Sequence, residues 1–199
     1  MIPQRLFVTG TDTDVGKTVV SAAIRAADPG RVALKPVATG GDGDAELLGS
    51  PIGVSLENPL SPHRAAELEG RRIALTEVVA WIRKHQAERC IVEGVGGWKV
   101  PLDWWHDVAD LAAVLGWPVL VVAADRIGVI SHTRLTVDAI RARGLSCCGV
   151  VLNRRCPDHS STHNFDDLGR LLDVPVKVFP HLDSLLEPAL AEAGRTLWD

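Results

Sequence analysis

The sequence predicts one α/β domain over residues 1–199, with a mostly parallel sheet flanked by helices on both faces. Three observations lead there. First, six short apolar runs recur: RLFVTG (5–10), RVALKP (31–36), CIVEG (90–94), PVLVVAA (118–124), CGVVLN (148–153) and VPVKVFP (174–180). Each is rich in β-branched residues and almost continuously apolar, as strands buried on both faces must be. Second, amphipathic segments separate the runs, and such alternation implies parallel strands joined by right-handed crossovers. Third, polar or special residues gather where the runs end: Gly10, Lys35, Glu93, Asp125, Asn153, and Pro180 with His181. In an open α/β sheet that edge is where ligands bind.

The elements follow in order. Run 5–10 leads into GTDTDVGKT (10–18) and then the alanine-rich stretch VVSAAIRAA. Run 31–36 brings Lys35 to a strand end before Pro36, which biases Lys35 to extended backbone. Residues 36–63 are rich in Gly, Pro and Asp. They lie inside the βα alternation, so they read as a flexible active-site segment with two short helices, not a linker. In 76–86, Thr76 is a candidate cap and Val78, Val79 and Ile82 form a face. In 107–116, Val108, Leu111, Ala112 and Leu115 share a face, with Asp107 as N-cap and Gly116 as stop. In 131–143, Leu135, Ala139 and Ile140 are expected inward, and Gly144 ends the helix. Segments 164–172 and 183–194 complete the helices.

Composition narrows the function classes. Hydrophobic residues make up 46% and charged residues 23%, ordinary for a globular protein. A net charge of −4 argues against a nucleic-acid binder that neutralises phosphates. No run approaches a membrane span, and the N-terminus lacks a signal-peptide pattern. Cys90, Cys147, Cys148 and Cys156 show no CxxC spacing and read as reduced thiols of a cytoplasmic protein, Cys156 the most exposed.

The junction at 10–18 carries the chemistry. A loop between strand and helix aims backbone N–H groups at a phosphate, and the helix N-terminus adds a favourable dipole. Lys17 can reach the outer phosphates and the Thr18 hydroxyl can ligate Mg²⁺. Gly10 and Gly16 are separated by one residue more than GxxxxGK[ST] allows. Either Thr11 takes the first-glycine position or the loop is a longer variant. Asp12 and Asp14 are tolerable beside phosphates if a divalent cation is present, or if they face solvent. Lys35 would add a second cation on a transferring phosphoryl group. Glu93, closing an apolar run before a flexible GVGG, is the type of acid that holds Mg²⁺ in phosphate-loop proteins.

GTDTDVGKT, KPVATG (35–40), SPH (61–63), EGVGGW (93–98) and VLN (151–153) together resemble the dethiobiotin synthetase family of biotin biosynthesis. The motifs occur in order over residues 4–187, and that family shares the longer phosphate loop. The resemblance implies an ATP- and Mg²⁺-dependent cyclo-ligase that closes a ureido ring from 7,8-diaminopelargonic acid and CO₂. It passes through a carbamate and a carbamic–phosphoric anhydride. By the same resemblance Thr13, Asp14, Val15, Gly16, Lys17, Thr18 and Val19 wrap the triphosphate, and Lys35 is the catalytic lysine. Thr39 contacts substrate. Thr18, Glu93 and Asp44 hold the metal, with Asp42 as rival to Asp44. Gly94, Val95, Gly96 and Gly97 line the reaction site. Asn153 and Arg154 sit at the adenine, with Pro180, His181, Leu182 and Glu187 closing the base pocket. The family works as a homodimer, and RIGVISH (126–132) matches the region that holds the substrate carboxylate near the partner.

This chain departs from the pattern in Asp14, where a Glu is familiar, in a short 44–61 segment, and in Arg154. Two other classes share parts of the signature. Partitioning or metal-chaperone ATPases often carry an extra Lys early in the loop, where this chain has TDTD; a cobyric- or cobyrinic-acid synthetase relative would need room for a glutaminase domain. A non-catalytic nucleotide module would leave Lys35 and Thr39 without a purpose. Trp98, Trp104 and Trp105 are candidates to cover substrate or a dimer contact; Trp81, Trp117 and Trp198 read as packing residues.

Overall fold

A computed structural model describes residues 2–197. In order the elements are β1 (Arg5–Gly10), α1 (Lys17–Ala27), β2 (Val32–Thr39), α2 (Gly43–Leu48), β3 (Ile52–Leu56), α3 (Pro62–Leu68), α4 (Leu75–His85), β4 (Cys90–Gly97), α5 (Val108–Leu115), β5 (Val119–Ala124), α6 (Val129–Ala142), β6 (Cys147–Asn153), α7 (Asn164–Leu171), β7 (Val176–Phe179) and α8 (Glu187–Thr196). A 3₁₀ turn at His159–Thr162 precedes α7. Among the described residues the strands form one sheet of seven, in the order β3-β2-β4-β1-β5-β6-β7. Every ladder in it is parallel.

Alternation along the central strands feeds two apolar layers. Phe7, Leu34, Val92 and Val121 pack with residues of α4, α5 and α6. Leu6, Val8, Ile91 and Leu120 pack with residues of α1 and α8. The chain leaves β1 in one direction for β2 and, after β4 slots in between, in the other direction for β5. That reversal puts the topological switch point beside β1.

Several expectations need correction. β3 went unseen because IGVSL is short, half-exposed and interrupted by Gly53, so it lacks the buried-strand pattern. Gly53 is required there: a Cβ would lie 2.4 Å from Pro36 O. Lys35 does not end its strand, since β2 runs on through Pro36 to Thr39. β2 pairs with β4 over Val32–Leu34 and with β3 over Lys35–Thr39. Pro36 therefore sits by the changeover between ladders, where a missing N–H is tolerated. Thr76 is not a cap; α4 begins at Leu75 after Ala74. Leu135 is exposed; Ile140 is buried and Ala139 packs against the core as expected, and α6 also buries Val129, Thr133, Thr136 and Val137. Thr136 can be buried because its hydroxyl donates to His132 O at 2.8 Å within the helix. Asp107 does cap α5, in a reciprocal capping box with Asp110, and Gly116 ends it with φ 66°.

Trp98 and Trp117 are buried in the core, whereas Trp104 and Trp105 are exposed. Trp81 packs partly buried against the core, and Trp198 lies outside the described residues. The four cysteines are free thiols, with Cys156 exposed. No helix among the described residues is long and apolar enough to cross a membrane.

Two glycines in helices should respond oppositely to alanine. A Cβ on Gly194 of α8 would lie 2.0 Å from Ala23 O of α1, whereas one on Gly169 of α7 meets nothing within 4 Å. Gly194→Ala should therefore lose ~1–3 kcal/mol by overpacking, and Gly169→Ala should gain ~0.5–1 kcal/mol from helix propensity. Urea unfolding of both variants measures the difference, and equal effects would contradict the α1–α8 packing.

Candidate functional site

β1 and β4 run in register to Val8 and Glu93, then the register shifts before Gly10, opening a crevice at the strand ends. The loop from Thr11 to Gly16 turns over this crevice. Asp14 adopts the left-handed backbone at φ 56° and Gly16 at φ 93°; Asp tolerates this region better than most residues. Gly16 has no room for a side chain: a Cβ would lie 1.9 Å from Asn153 Nδ2. As the residue before α1 it also provides no side-chain cap, so the first N–H groups of the helix stay available to an anion.

Lys17 opens α1. It is buried, and its Nζ donates to Asp12 O at 3.0 Å. Burial pushes its pKa down to about 8; Glu93 resists that shift and Lys35 reinforces it. Lys35 is 2% exposed, and its Nζ donates to Glu93 Oε1 and to Asp44 Oδ2, both at 2.6 Å. Burial disfavours the Lys35 ammonium, but Glu93 and Asp44 together outweigh it and hold the pKa above the ordinary lysine value. Asp44 shows the converse: burial opposes its carboxylate, yet Lys35 keeps its pKa below the usual range. Glu93 Oε1 also accepts from the Thr18 hydroxyl at 2.8 Å, while Glu93 Oε2 is buried without a partner.

Most residues expected at the phosphate end meet in one cleft of about 380 Å³. Thr13, Asp14, Gly16, Lys17, Thr18, Val19, Lys35, Thr39, Asp44, Val95 and Gly96 border it. Glu93 lies fully buried beneath Lys35, and Val15 is buried behind the loop. Gly94 and Gly97 do not border the cleft. Gly94 is a packing glycine, where a Cβ would lie 3.1 Å from Val108 Cγ1. Asp44 rather than Asp42 reaches Lys35, because Asp42 accepts from Ser55 at 2.6 Å. Gly40, Gly41, Gly43 and Leu47 also border this cleft; the irregular 36–63 segment gave no periodicity from which to place them.

A second cleft of about 330 Å³ adjoins the first and gathers Asn153, Pro180, His181 and Leu182. Asn153 Nδ2 donates to Val15 O at 2.9 Å, pinning the loop to the end of β6. Arg154 turns away: its Nε donates to Asp125 Oδ2 and its Nη2 to Ser161 O, each at 2.8 Å. Asp125, 1% exposed at the end of β5, needs that cation. Glu187 is exposed at the start of α8 and borders neither cleft. Arg155 and Leu185 line the second cleft instead. The doubled arginine was the available signal, since neighbouring residues at a strand end point to opposite sides.

A phosphate loop between a central parallel strand and its helix, opening on a cleft along the carboxyl edge of the sheet, defines a phosphate-loop nucleotide-binding protein of the α/β class. Solved structures share the fold. The septum site-determining protein MinD complexed with Mg-ADP, from Pyrococcus horikoshii, superposes with a TM-score of 0.58 at 16% identity, covering 96% of this chain and 94% of that one. A ParA family ATPase from Chlorobium tepidum gives a TM-score of 0.58 at 12% identity, covering 98% and 100%. At these identities the likeness is one of fold alone. An AAA domain family matches residues 4–185. The chain is 43% identical to an ATP-dependent dethiobiotin synthetase BioD of Anaeromyxobacter sp. (strain K), over 96% of this chain and 94% of that protein. It is 40% identical to the same-named protein of Aromatoleum aromaticum, over 98% of both. The chain belongs to the ATP-dependent dethiobiotin synthetase family, ligases of biotin biosynthesis.

The Lys17 environment sets a pH dependence. A bound phosphate stabilises the ammonium, so binding raises the lysine pKa. Below pH 8 the proton is already in place; above it, binding must draw one from solvent. ATP affinity should hold up to about pH 8 and then fall, approaching ~tenfold per pH unit. Calorimetry in buffers of different ionisation enthalpy should find proton uptake on binding at pH 9, and none in Lys17→Arg. Equal uptake in both proteins would remove Lys17 as its source.

Proposed function

We propose that this chain closes the ureido ring of dethiobiotin from 7,8-diaminopelargonic acid and CO₂, driven by ATP. The observation that carries the reading is the Lys35 ammonium, buried beside the phosphate loop and held 2.6 Å from each of two carboxylates. A nucleotide switch or a passive binding module has no need of a second buried cation there. Membership of the family supports the same reading.

One amine of the diamine adds to CO₂ and loses a proton, giving a carbamate. A carbamate oxygen attacks the γ-phosphorus, ADP leaves, and a carbamic–phosphoric anhydride forms. The second amine then attacks the carbamoyl carbon; phosphate leaves, a proton is lost and the ring closes. Negative charge gathers on carbamate and phosphoryl oxygens throughout. An ammonium has three donors, and Glu93 and Asp44 take two of those on Lys35, leaving one for those oxygens. Being fixed before the reaction, it favours the transition state over bound ATP. Lys17 and the backbone from Thr13 to Val19 hold the outer phosphates. Thr39 borders the substrate side, and Asn153, Pro180, His181 and Leu182 take the base.

The residues present suit Mg²⁺. Glu93 Oε2 is buried and unpartnered, and with Asp44 and the Thr18 hydroxyl it offers hard oxygen donors beside the phosphate cleft. Bound there, Mg²⁺ would neutralise phosphate charge and orient the β- and γ-phosphates. The chain acts as a homodimer in this reading. Ile127, just before α6, and Leu135 on it, 79% and 65% exposed, offer apolar surface in and beside the substrate-tail region at 126–132.

Incubation with diaminopelargonate, ATP, Mg²⁺ and bicarbonate should yield a product of dethiobiotin mass, with ADP release requiring both diamine and CO₂. Equal ATP hydrolysis without either would favour a switch ATPase. Lys35→Ala should lose on the order of 10²–10³ in turnover, as for one electrostatic donor, with a much smaller loss of ATP affinity. Lys17→Ala should lose both together. Normal turnover in Lys35→Ala would show that Lys35 has no part in the chemistry. Glu93→Gln should cut Mg²⁺-dependent turnover, and parent-like rates at saturating Mg²⁺ would remove Glu93 from the metal site.

A further inference from the structure

The end of β6 presents three polar side chains in a row, and two are committed to protein partners. Asn153 Nδ2 holds Val15 O, and the Arg154 guanidinium holds Asp125 and Ser161. Arg155 is different. It is exposed, and among the described residues its guanidinium has no ion-pair or hydrogen-bond partner.

Its position is particular. The phosphate cleft and the second cleft have three bordering residues in common: Gly16, Val19 and Arg155. Only Arg155 among these is charged. A nucleotide laid along both clefts has its outer phosphates by Lys17 and Lys35 and its base by Asn153 and Pro180. The α-phosphate and ribose then cross the junction. Lys35 is held at the far end by Glu93 and Asp44, and Lys17 is held by Asp12 O within the loop, which leaves the inner phosphate without a lysine. A guanidinium presents a planar fork of donors that matches phosphate oxygens. We propose that Arg155 is a nucleotide-affinity residue that binds the α-phosphate of ATP. The proposal rests on the nucleotide reading of the two clefts and assigns that site a contact the family motifs do not contain.

The α-phosphate is common to ATP, ADP and AMP and absent from adenosine, so the four probes locate the contact. Dissociation constants are measured by calorimetry for the nucleotides and by ligand-observed NMR for adenosine, with the parent, Arg155→Ala and Arg155→Lys. Arg155→Ala should weaken ATP, ADP and AMP by one common factor of about tenfold, the size of a charge-assisted hydrogen bond at a partly solvated site. Adenosine should be unaffected, and Arg155→Lys should retain part of the nucleotide affinity. Unchanged affinities would make Arg155 a solvated surface residue, a loss confined to ATP would put it on the γ-phosphate, and a loss extending to adenosine would put it on the base. Each of these overturns the proposal while leaving the nucleotide site intact. Failure of the parent to bind ATP would overturn the nucleotide reading itself, so the two failures are separable.

Discussion

The Lys35 ammonium is 2% exposed, and Glu93, its partner across the β2–β4 gap, is fully buried. Neither charge is tolerable alone: an isolated ion buried in protein costs several kcal/mol after relaxation. Together with Asp44 they satisfy one another, and this fixes three elements at once. β2 must carry Lys35 past the point where it parts from β4, β4 must bring Glu93 beneath it, and α2 must sit where Asp44 can close over it. Thr18 joins through its hydrogen bond to Glu93, so the first turn of α1 is tied to the same cluster. The arrangement also holds Lys35 protonated while Lys17, lining the same cleft but without a carboxylate hydrogen bond, is poised nearer neutrality. Two lysines at one cleft thus have different readiness to change charge.

The loop is anchored from the opposite half of the sheet. Asn153 reaches back from the end of β6 to Val15, and it packs so closely on Gly16 that no side chain fits there. Behind it, Asp125 accepts from Arg154 and Asn164, while its backbone carbonyl accepts from the Ser161 hydroxyl. This buried knot ties β5, β6 and the 3₁₀ turn before α7 together at the cleft's edge. Rigid strand ends on both sides therefore hold the phosphate loop, and preorganisation of this type lets backbone N–H groups act on an anion without reorganising.

Five of the six expected strands, β1, β2, β4, β5 and β6, are buried and were legible because strands covered on both faces must be apolar almost throughout. β7, half-buried at one edge of the sheet, was legible from its valines and Phe179 despite Lys177. β3 was not legible: IGVSL lies at the sheet edge, half-exposed, and its glycine answers to Pro36 O rather than to strand preference. The face of α6 was misread for a related reason. Threonines fill buried positions there, and one hides its hydroxyl inside the helix, so hydrophobicity points to Leu135 instead. At the site, Gly16, Lys17, Thr18 and Glu93 could be placed from local motifs. Asp44 could not be separated from Asp42 because the choice depends on tertiary contacts, with Lys35 for one and Ser55 for the other. Arg155, which carried no expectation from sequence, borders the cleft where Arg154 was expected, because a buried acid 29 residues away claims Arg154.

Lys35 and Glu93 act as one buried unit, and a double-mutant cycle on the protein without nucleotide tests that most directly. Stabilities of the parent, Lys35→Met, Glu93→Gln and the double variant would be measured by urea unfolding at neutral pH. Each single change leaves a buried charged group short of its partner, whereas the double change removes both charges. The prediction is a coupling energy of ~2 kcal/mol or more, with the double variant more stable than the sum of the single losses implies. Additivity within ~0.5 kcal/mol would mean the two groups do not depend on each other, and the central cluster would lose its basis.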